Sequence, residues 1–238
     1  MISDRMDGER VIVFGGSSGV GLAVAEQCLA RGAQVTIASR TRKRLDAAAA
    51  QLGAVETIAV DIRDAVAVAC IFEEREAFDH VVVSAADLQT SPLRSRPLVE
   101  AREAMDSKLW GALHVAHAAN IRDGGSLTLV SGMLGVRPSG GATVLSVINA
   151  ALDTLAKALA TEMAPVRVNC VSPGRLDTPW WDRLPEDQKR ALLDATAARL
   201  PVNRVGGADE IAGQIVHIML NGFMTGSVIL VDGGGSVS

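Results

Sequence analysis

Seven residues near the start of the chain, Gly15-Gly16-Ser17-Ser18-Gly19-Val20-Gly21, have the composition and spacing to hold phosphate. They follow a short apolar run, Val11–Phe14, and open a stretch of helical periodicity, Gly19–Arg31. In that setting each glycine has its own task. Gly15 lets the chain turn sharply, Gly19 lets backbone approach a pyrophosphate, and Gly21 lets the helix pack close to the sheet. Backbone N–H groups of Ser17, Ser18, Gly19 and Val20, with the helix N-terminus, then face the anion. A second chemical feature closes the next apolar run, Ile37-Ala38-Ser39-Arg40, with Arg42 and Lys43 just behind it. A site that selects an unphosphorylated ribose places an acid about 20 residues beyond the glycines. Here Ser39 and Arg40 stand in that place, and a 2′-phosphate needs cationic donors. NADP(H) is therefore predicted over NAD(H). His114 and His117, three residues apart, have a spacing that suits a metal on one helix face. The sequence offers no third ligand, so packed histidines are expected and no metal.

These residues need elements to position them. Short β-branched runs alternate with longer helical stretches. Strands are predicted at Val11–Phe14, Gln34–Ala38, Thr57–Val60, His80–Ser84, Ser126–Ser131, Val166–Val171 and Ser227–Val231. Helices are predicted at Gly19–Arg31, Thr41–Leu52 with Thr41 as N-cap, Asp64–Glu76, Leu98–Asn120, Ala142–Met163 with an Asp153–Lys157 pair, and Asp209–Leu220. Seven strands alternating with six helices predict one α/β domain spanning 1–238. Its fold class is the doubly wound, or Rossmann, seven-stranded parallel sheet with helices on both faces. The one long irregular stretch, 173–201, holds Trp180 and Trp181 and is expected to be a substrate loop or lid.

Bulk properties exclude some functions. A formal net charge of −4 gives no pull toward nucleic acid or an anionic membrane. Cys28, Cys70 and Cys170 lack metal-ligand or CxxC spacing, and residues 1–10 lack an apolar signal segment. No uninterrupted apolar run nears the roughly 20 residues of a membrane helix. A cytoplasmic protein with reduced thiols is expected, acting on a small-molecule substrate. The wide apolar faces of 98–120 and 142–163 predict a homo-oligomer, dimer or tetramer. The chain contains no tyrosine.

Gly15–Gly21 resembles the Thr-Gly-x-x-x-Gly-x-Gly motif of the short-chain dehydrogenase/reductase family, with Phe14 in place of the threonine. Other marks run along nearly the whole chain. Asp61 and Ile62 resemble the family's adenine-contacting segment. Val83-Ser84-Ala85-Ala86 stands in the place of its Asn-Asn-Ala-Gly motif, with Ala85 kept. Arg167-Val168-Asn169, then Pro173-Gly174 with Leu176 and Thr178, match a segment that in the family meets the nicotinamide and the phosphates. Leu200-Pro201 with Arg204, the helix start at Asp209-Glu210, and Val231-Asp232-Gly233-Gly234 resemble the usual ending.

The resemblance implies hydride transfer between a nicotinamide and a carbonyl or alcohol carbon. It also implies a tyrosine as proton donor, a lysine four residues later, a serine and an asparagine. The reactive residues depart from that pattern. Leu145 takes the tyrosine position, Asn149 the lysine position, Gly132 the serine position beside Ser131, and Lys108 the asparagine position. Lysine and asparagine are thus exchanged between two neighbouring helices. Asn149 is expected to bond the nicotinamide ribose, and Ser131 is a candidate for the substrate oxygen. A desolvated Lys108 beside a cationic ring would have a lowered pKa suited to proton transfer. Ser146, one residue beyond the tyrosine position, is expected to face away, and Asp177 to cap a turn. An atypical oxidoreductase acting on a carbonyl or alcohol, an enone or an imine follows. The alternatives are a non-catalytic NADP(H)-binding sensor or partner-supporting protein, and a lyase or isomerase on the same fold.

Overall fold

The computed structural model describes residues 4–86, 92–95 and 97–238. The chain runs β1 (Arg10–Phe14), α1 (Gly19–Leu29), β2 (Gln34–Ser39), α2 (Arg42–Leu52), β3 (Glu56–Ala59), α3 (Ala65–Glu73) and β4 (Phe78–Val83). It continues through α4 (Leu98–Met105), α5 (Gly111–Ala118), β5 (Ile121–Val130), α6 (Thr143–Glu162) and β6 (Arg167–Pro173). It ends with β7 (Leu176–Asp177), α7 (Glu186–Ala197), β8 (Gly206–Gly207), α8 (Ala208–Leu220) and β9 (Val228–Val231).

Seven strands form one parallel sheet in the order β3-β2-β1-β4-β5-β6-β9. The doubly wound expectation is met. β1 shows why Val11–Phe14 is apolar throughout: both faces are covered. Ile12 and Phe14 enter a core with α3, α5 and α6. Val11 and Val13 enter a second core with α1, α2 and α8. The strand order reverses between β1 and β4, so a crevice opens there at the carboxyl edge of the sheet.

Four expectations about elements need correction. Thr41 occupies the N-cap position of α2 but its side chain makes no capping bond. The helix read as continuous over 98–120 is α4 and α5 joined by a π-helical turn, Asp106–Trp110. Such turns accommodate one extra residue and recur at functional sites. The stretch 173–201 is not irregular: it holds β7, which pairs with β8 just beyond the stretch, and the twelve-residue α7. Asp153 does not reach out to Lys157 but turns inward, buried. Packing of α6 against β6 overrides the surface i,i+4 pattern.

α6 is also 20 residues long, with mean hydropathy 1.3 over its most apolar window, and by those measures alone would suit a membrane. It packs instead on the sheet through Ile148, Leu152 and Ala156. Arg167, half of the expected cofactor signature, is a structural residue. Its guanidinium donates to the carbonyls of Ile218 at 2.8 Å and Met219 at 2.7 Å, closing the end of α8. Asn169 likewise ties β6 to the loop before β9, donating to Met224 O and accepting from Ser227 N.

Candidate active site

The crevice deepens into a cleft of about 1770 Å³. Its first wall is the loop between β1 and α1. Gly15 has φ +86°, and a Cβ there would sit 2.6 Å from Ala85 N, so only glycine fits that turn. A Cβ on Gly21 would strike Gly15 O, so α1 packs directly on the loop it leaves. Gly19, at φ +54°, meets nothing closer than Thr178 at 3.9 Å, which leaves open space in front of the helix N-terminus. No acidic residue occupies the first turn of α1. Its unpaired N–H groups and positive end therefore face the cleft without a protein counter-charge.

At the end of β2, Ser17 Oγ donates to Ser39 Oγ at 2.9 Å, joining the glycine loop to the basic turn. Arg40 and Arg44 line the cleft. Arg42 does not: it lies 3.4 Å from Asp46 and reaches toward Thr57. Successive helical residues rotate by about 100°, so the face that carries Arg44 turns Arg42 away. Arg44 was the residue to expect. Asp61 lines the cleft beside Ile62, but its carboxylate is gripped by the Arg63 guanidinium at 2.6 Å. That bond holds the Asp61 pKa below the usual carboxylate range.

The third wall holds the residues expected at the reacting carbon. The π turn places Lys108 on the sheet side of its helix, buried to 8% exposure. Its Nζ donates to Ser131 O at 2.7 Å and to Asn149 Oδ1 at 2.8 Å. Close approach is possible because position 132 is glycine: a Cβ there would lie 2.7 Å from Asn149 Nδ2. Burial pushes the Lys108 pKa down to about 8, opposed by the nearby Asp153. The Ser131 hydroxyl is not presented to a ligand. It donates to Asp153 Oδ1 at 2.5 Å, and the Cys170 thiol approaches the same oxygen at 3.4 Å. Burial raises the Cys170 pKa to about 12, so it is a thiol and not a thiolate.

Leu145 and Asn149 line the cleft, whereas Ser146 turns back to Ala142 O at 3.0 Å. Leu145, Asn149 and Asp153 are spaced by four and so share one stripe of α6. That spacing was the available signal for Asp153. Asp177 caps no turn; Lys189 holds it at 3.3 Å and Asp182 at 2.8 Å. His114 bonds Ile62 O at 3.0 Å, and no group of metal-binding residues occurs among the described residues. Apart from Arg42, Lys43 and the Arg167–Asn169 run, the residues expected at the cofactor or the reacting carbon line this one cleft, Pro173, Gly174, Leu176 and Thr178 included.

A family model described as Enoyl-(Acyl carrier protein) reductase matches residues 15–236. The chain belongs to the short-chain dehydrogenase/reductase family. It is 31% identical to tropinone reductase-like 3 of Erythroxylum coca, over 98% of this chain and 95% of that protein. Among solved structures it resembles a small-chain dehydrogenase in complex with NADPH. The identity is 35% and the TM-score 0.86, over 98% of this chain and all of that one. It also resembles L-sorbose reductase from Gluconobacter frateurii, complexed with NADPH and L-sorbose. There the identity is 25% and the TM-score 0.91, over the full length of both chains. Within this short-chain dehydrogenase/reductase, Leu145, Asn149 and Lys108, the residues read from the sequence as departures from the family pattern, meet at one wall of the cleft, and the Lys108 amine donates to Asn149.

Proposed function

We propose that this chain is an NADP(H)-dependent oxidoreductase that handles the substrate proton at Lys108 Nζ in place of a phenol. The cofactor reading is supported by the glycine cradle, the open front of α1, and the cationic turn of Arg40 and Arg44. It is supported further by the NADPH held by two of the structural relatives. Ser17, Ser18, Gly19 and Val20 would face the phosphates. Ser39, Arg40 and Arg44 would take the 2′-phosphate, and Asp61 and Ile62 would border the adenine. Asn149, Pro173, Gly174, Leu176 and Thr178 would border the nicotinamide half. Bound there, the cofactor would supply or accept a hydride.

One observation carries the catalytic reading: a lysine buried at the wall of the same cleft, with an ammonium held near pH 8. Two of its three N–H bonds are committed to Ser131 O and Asn149 Oδ1. The third has no protein acceptor among the described residues and would donate to an oxygen or nitrogen gaining charge at the reacting carbon. Ser131 and Asp153 act as positioning residues: the carboxylate fixes the serine, and the serine carbonyl orients the amine. Carbonyls, enones and imines all accept such a proton; in the reverse direction the neutral amine would take one from an alcohol. The wall formed by 173–201 is the proposed substrate loop. Leu98, Val99, Trp110 and Val147 remain solvent-exposed on α4, the π turn and α6, which accords with a homo-oligomeric contact. A cytoplasmic setting accords with three unpaired thiols.

The test is NADPH absorbance across a panel of ketones, enones and imines, with wild type and Lys108→Met in parallel. Substrate-dependent oxidation that drops in the variant supports the proposal. Tight NADPH binding without turnover of any substrate makes the chain a non-catalytic sensor instead. Turnover untouched by Lys108→Met moves the proton to another group.

A further inference from the structure

The outer part of the cleft carries two arginines that make no ion pair among the described residues. Arg175 follows Gly174 at the end of β6, and Arg199 follows the end of α7; both line the cleft with Thr196. Arg175 donates to Thr196 Oγ1 at 3.3 Å and lies 5.2 Å over the Trp181 ring. Arg199 makes no ion pair or side-chain hydrogen bond among the described residues. The two guanidiniums are near enough that Arg199, after burial, lowers the Arg175 pKa. Acids of the same region have other partners: Lys189 holds Asp177 and Asp182, and Asp232, beside Gly174, accepts from the Gly234 and Ser236 N–H groups. Two like charges thus face one space without an ion pair of their own among the described residues, and a bound oxyanion would offset their repulsion. Guanidinium forks match the geometry of carboxylate and phosphate.

This pair is separate from the cations at the ribose end. β6 lies four strand positions from β2 in the sheet order. At about 4.8 Å per strand that is roughly 19 Å. Arg40 and Arg44 therefore serve one end of the cleft, and Arg175 and Arg199 the other.

We propose that Arg175 and Arg199 form an anion subsite that selects substrates bearing a carboxylate or phosphate remote from the reacting carbon. This rests on the cleft being an NADP(H) oxidoreductase site, so the test reads cofactor and anion separately. NADPH binding is followed by cofactor fluorescence. Anion binding is followed by emission of Trp180 and Trp181, with Trp181→Phe marking the signal.

NADPH-saturated protein is titrated with glutarate, methyl phosphate and neutral dimethyl glutarate. The expected result is a saturable emission change with glutarate, with methyl phosphate or with both, and none with the diester. Which anion binds more tightly identifies the group. Arg175→Met and Arg199→Met should each weaken the anion by about tenfold or more, the worth of a charge-assisted hydrogen bond. NADPH affinity should stay within about twofold, as expected for distant sites. Thermal melts confirm that the variants fold, and Arg199→Gln repeats the result with a polar side chain. Equal binding of acid and diester, no saturable change, or unchanged anion affinity in both variants overturns the subsite. A parallel loss of NADPH affinity overturns it too, by assigning the arginines to the cofactor. If NADPH fails to bind, the proposed function falls, and the same titration of cofactor-free protein still decides the subsite.

Discussion

Burying Lys108 has a thermodynamic signature that needs no substrate. Its ordinary pKa is 10.5, and in the fold burial lowers it to about 8. The lowering is worth roughly 3 kcal/mol against the charged form. The sign follows from proton counts. Above pH 10.5 the lysine is neutral in both states and carries no penalty. As pH falls from 10.5 to 8 the unfolded chain takes up a proton that the folded chain resists, so stability is lost across that window. Below 8 the penalty is full and constant. Wild type minus Lys108→Met, measured by urea unfolding from pH 7 to 10.5, should therefore rise with pH, by up to about 3 kcal/mol. Subtraction removes the opposite slope of Cys28 and Cys170, both held near 12 by burial. In turnover, kcat/KM for reduction should be flat below pH 8 and fall above it as the ammonium is lost, and Lys108→Arg should abolish that limb. A stability difference independent of pH would refute the buried-ammonium reasoning, whatever the enzyme does.

Three further outcomes are expected. Gly21→Ala forces a methyl against Gly15 O and Ser84 Oγ; it should cost about 1–3 kcal/mol in unfolding experiments and weaken NADPH at the same time. Ser131→Ala removes the hydrogen bond to Asp153 and leaves that carboxylate oxygen with only the Cys170 thiol. A loss of about 1–3 kcal/mol in chemical denaturation is expected. Arg44→Ala should weaken NADPH but leave NADH unaffected in parallel fluorescence titrations, while Arg42→Ala changes neither, because Arg42 faces Asp46.

The sheet could be read because its pattern is local. Period-two apolar runs in β1 and β2 split cleanly between two cores, and the glycine string carries its own steric reasons. The reaction centre was harder, since it is assembled from three elements and two of its members obey surface rules in sequence. Asp153 and Lys157 have the spacing of an exposed ion pair, and only packing of α6 on β6 reveals that the acid faces inward. Lys108 was found through the resemblance and not through periodicity, because a π turn shifts it out of the helical register. Arg42 was read at the cofactor because it stands nearer the end of β2, but rotation within α2 turns Arg44 to the cleft instead. α7 carried good helix signals, Pro185 at its N-cap and Glu186 and Asp187 in its first turn. The prolines and tryptophans around it hid them.

The wide turn at 106–110 gives this protein an unusual route of change. An ordinary helix can be altered only by exchanging side chains, whereas a turn holding one surplus residue can lose it without breaking the backbone. Loss of a single codon there would restore plain helical winding and rotate α4 against α5 by about 100°. Gly111 fixes α5, since its bare Cα rests where a Cβ would crowd Ile62. The rotation would therefore fall on the segment ahead of it, and the amine would leave its two acceptors. Discarding this lysine centre would thus need only one small deletion, with every other element of the fold left in place.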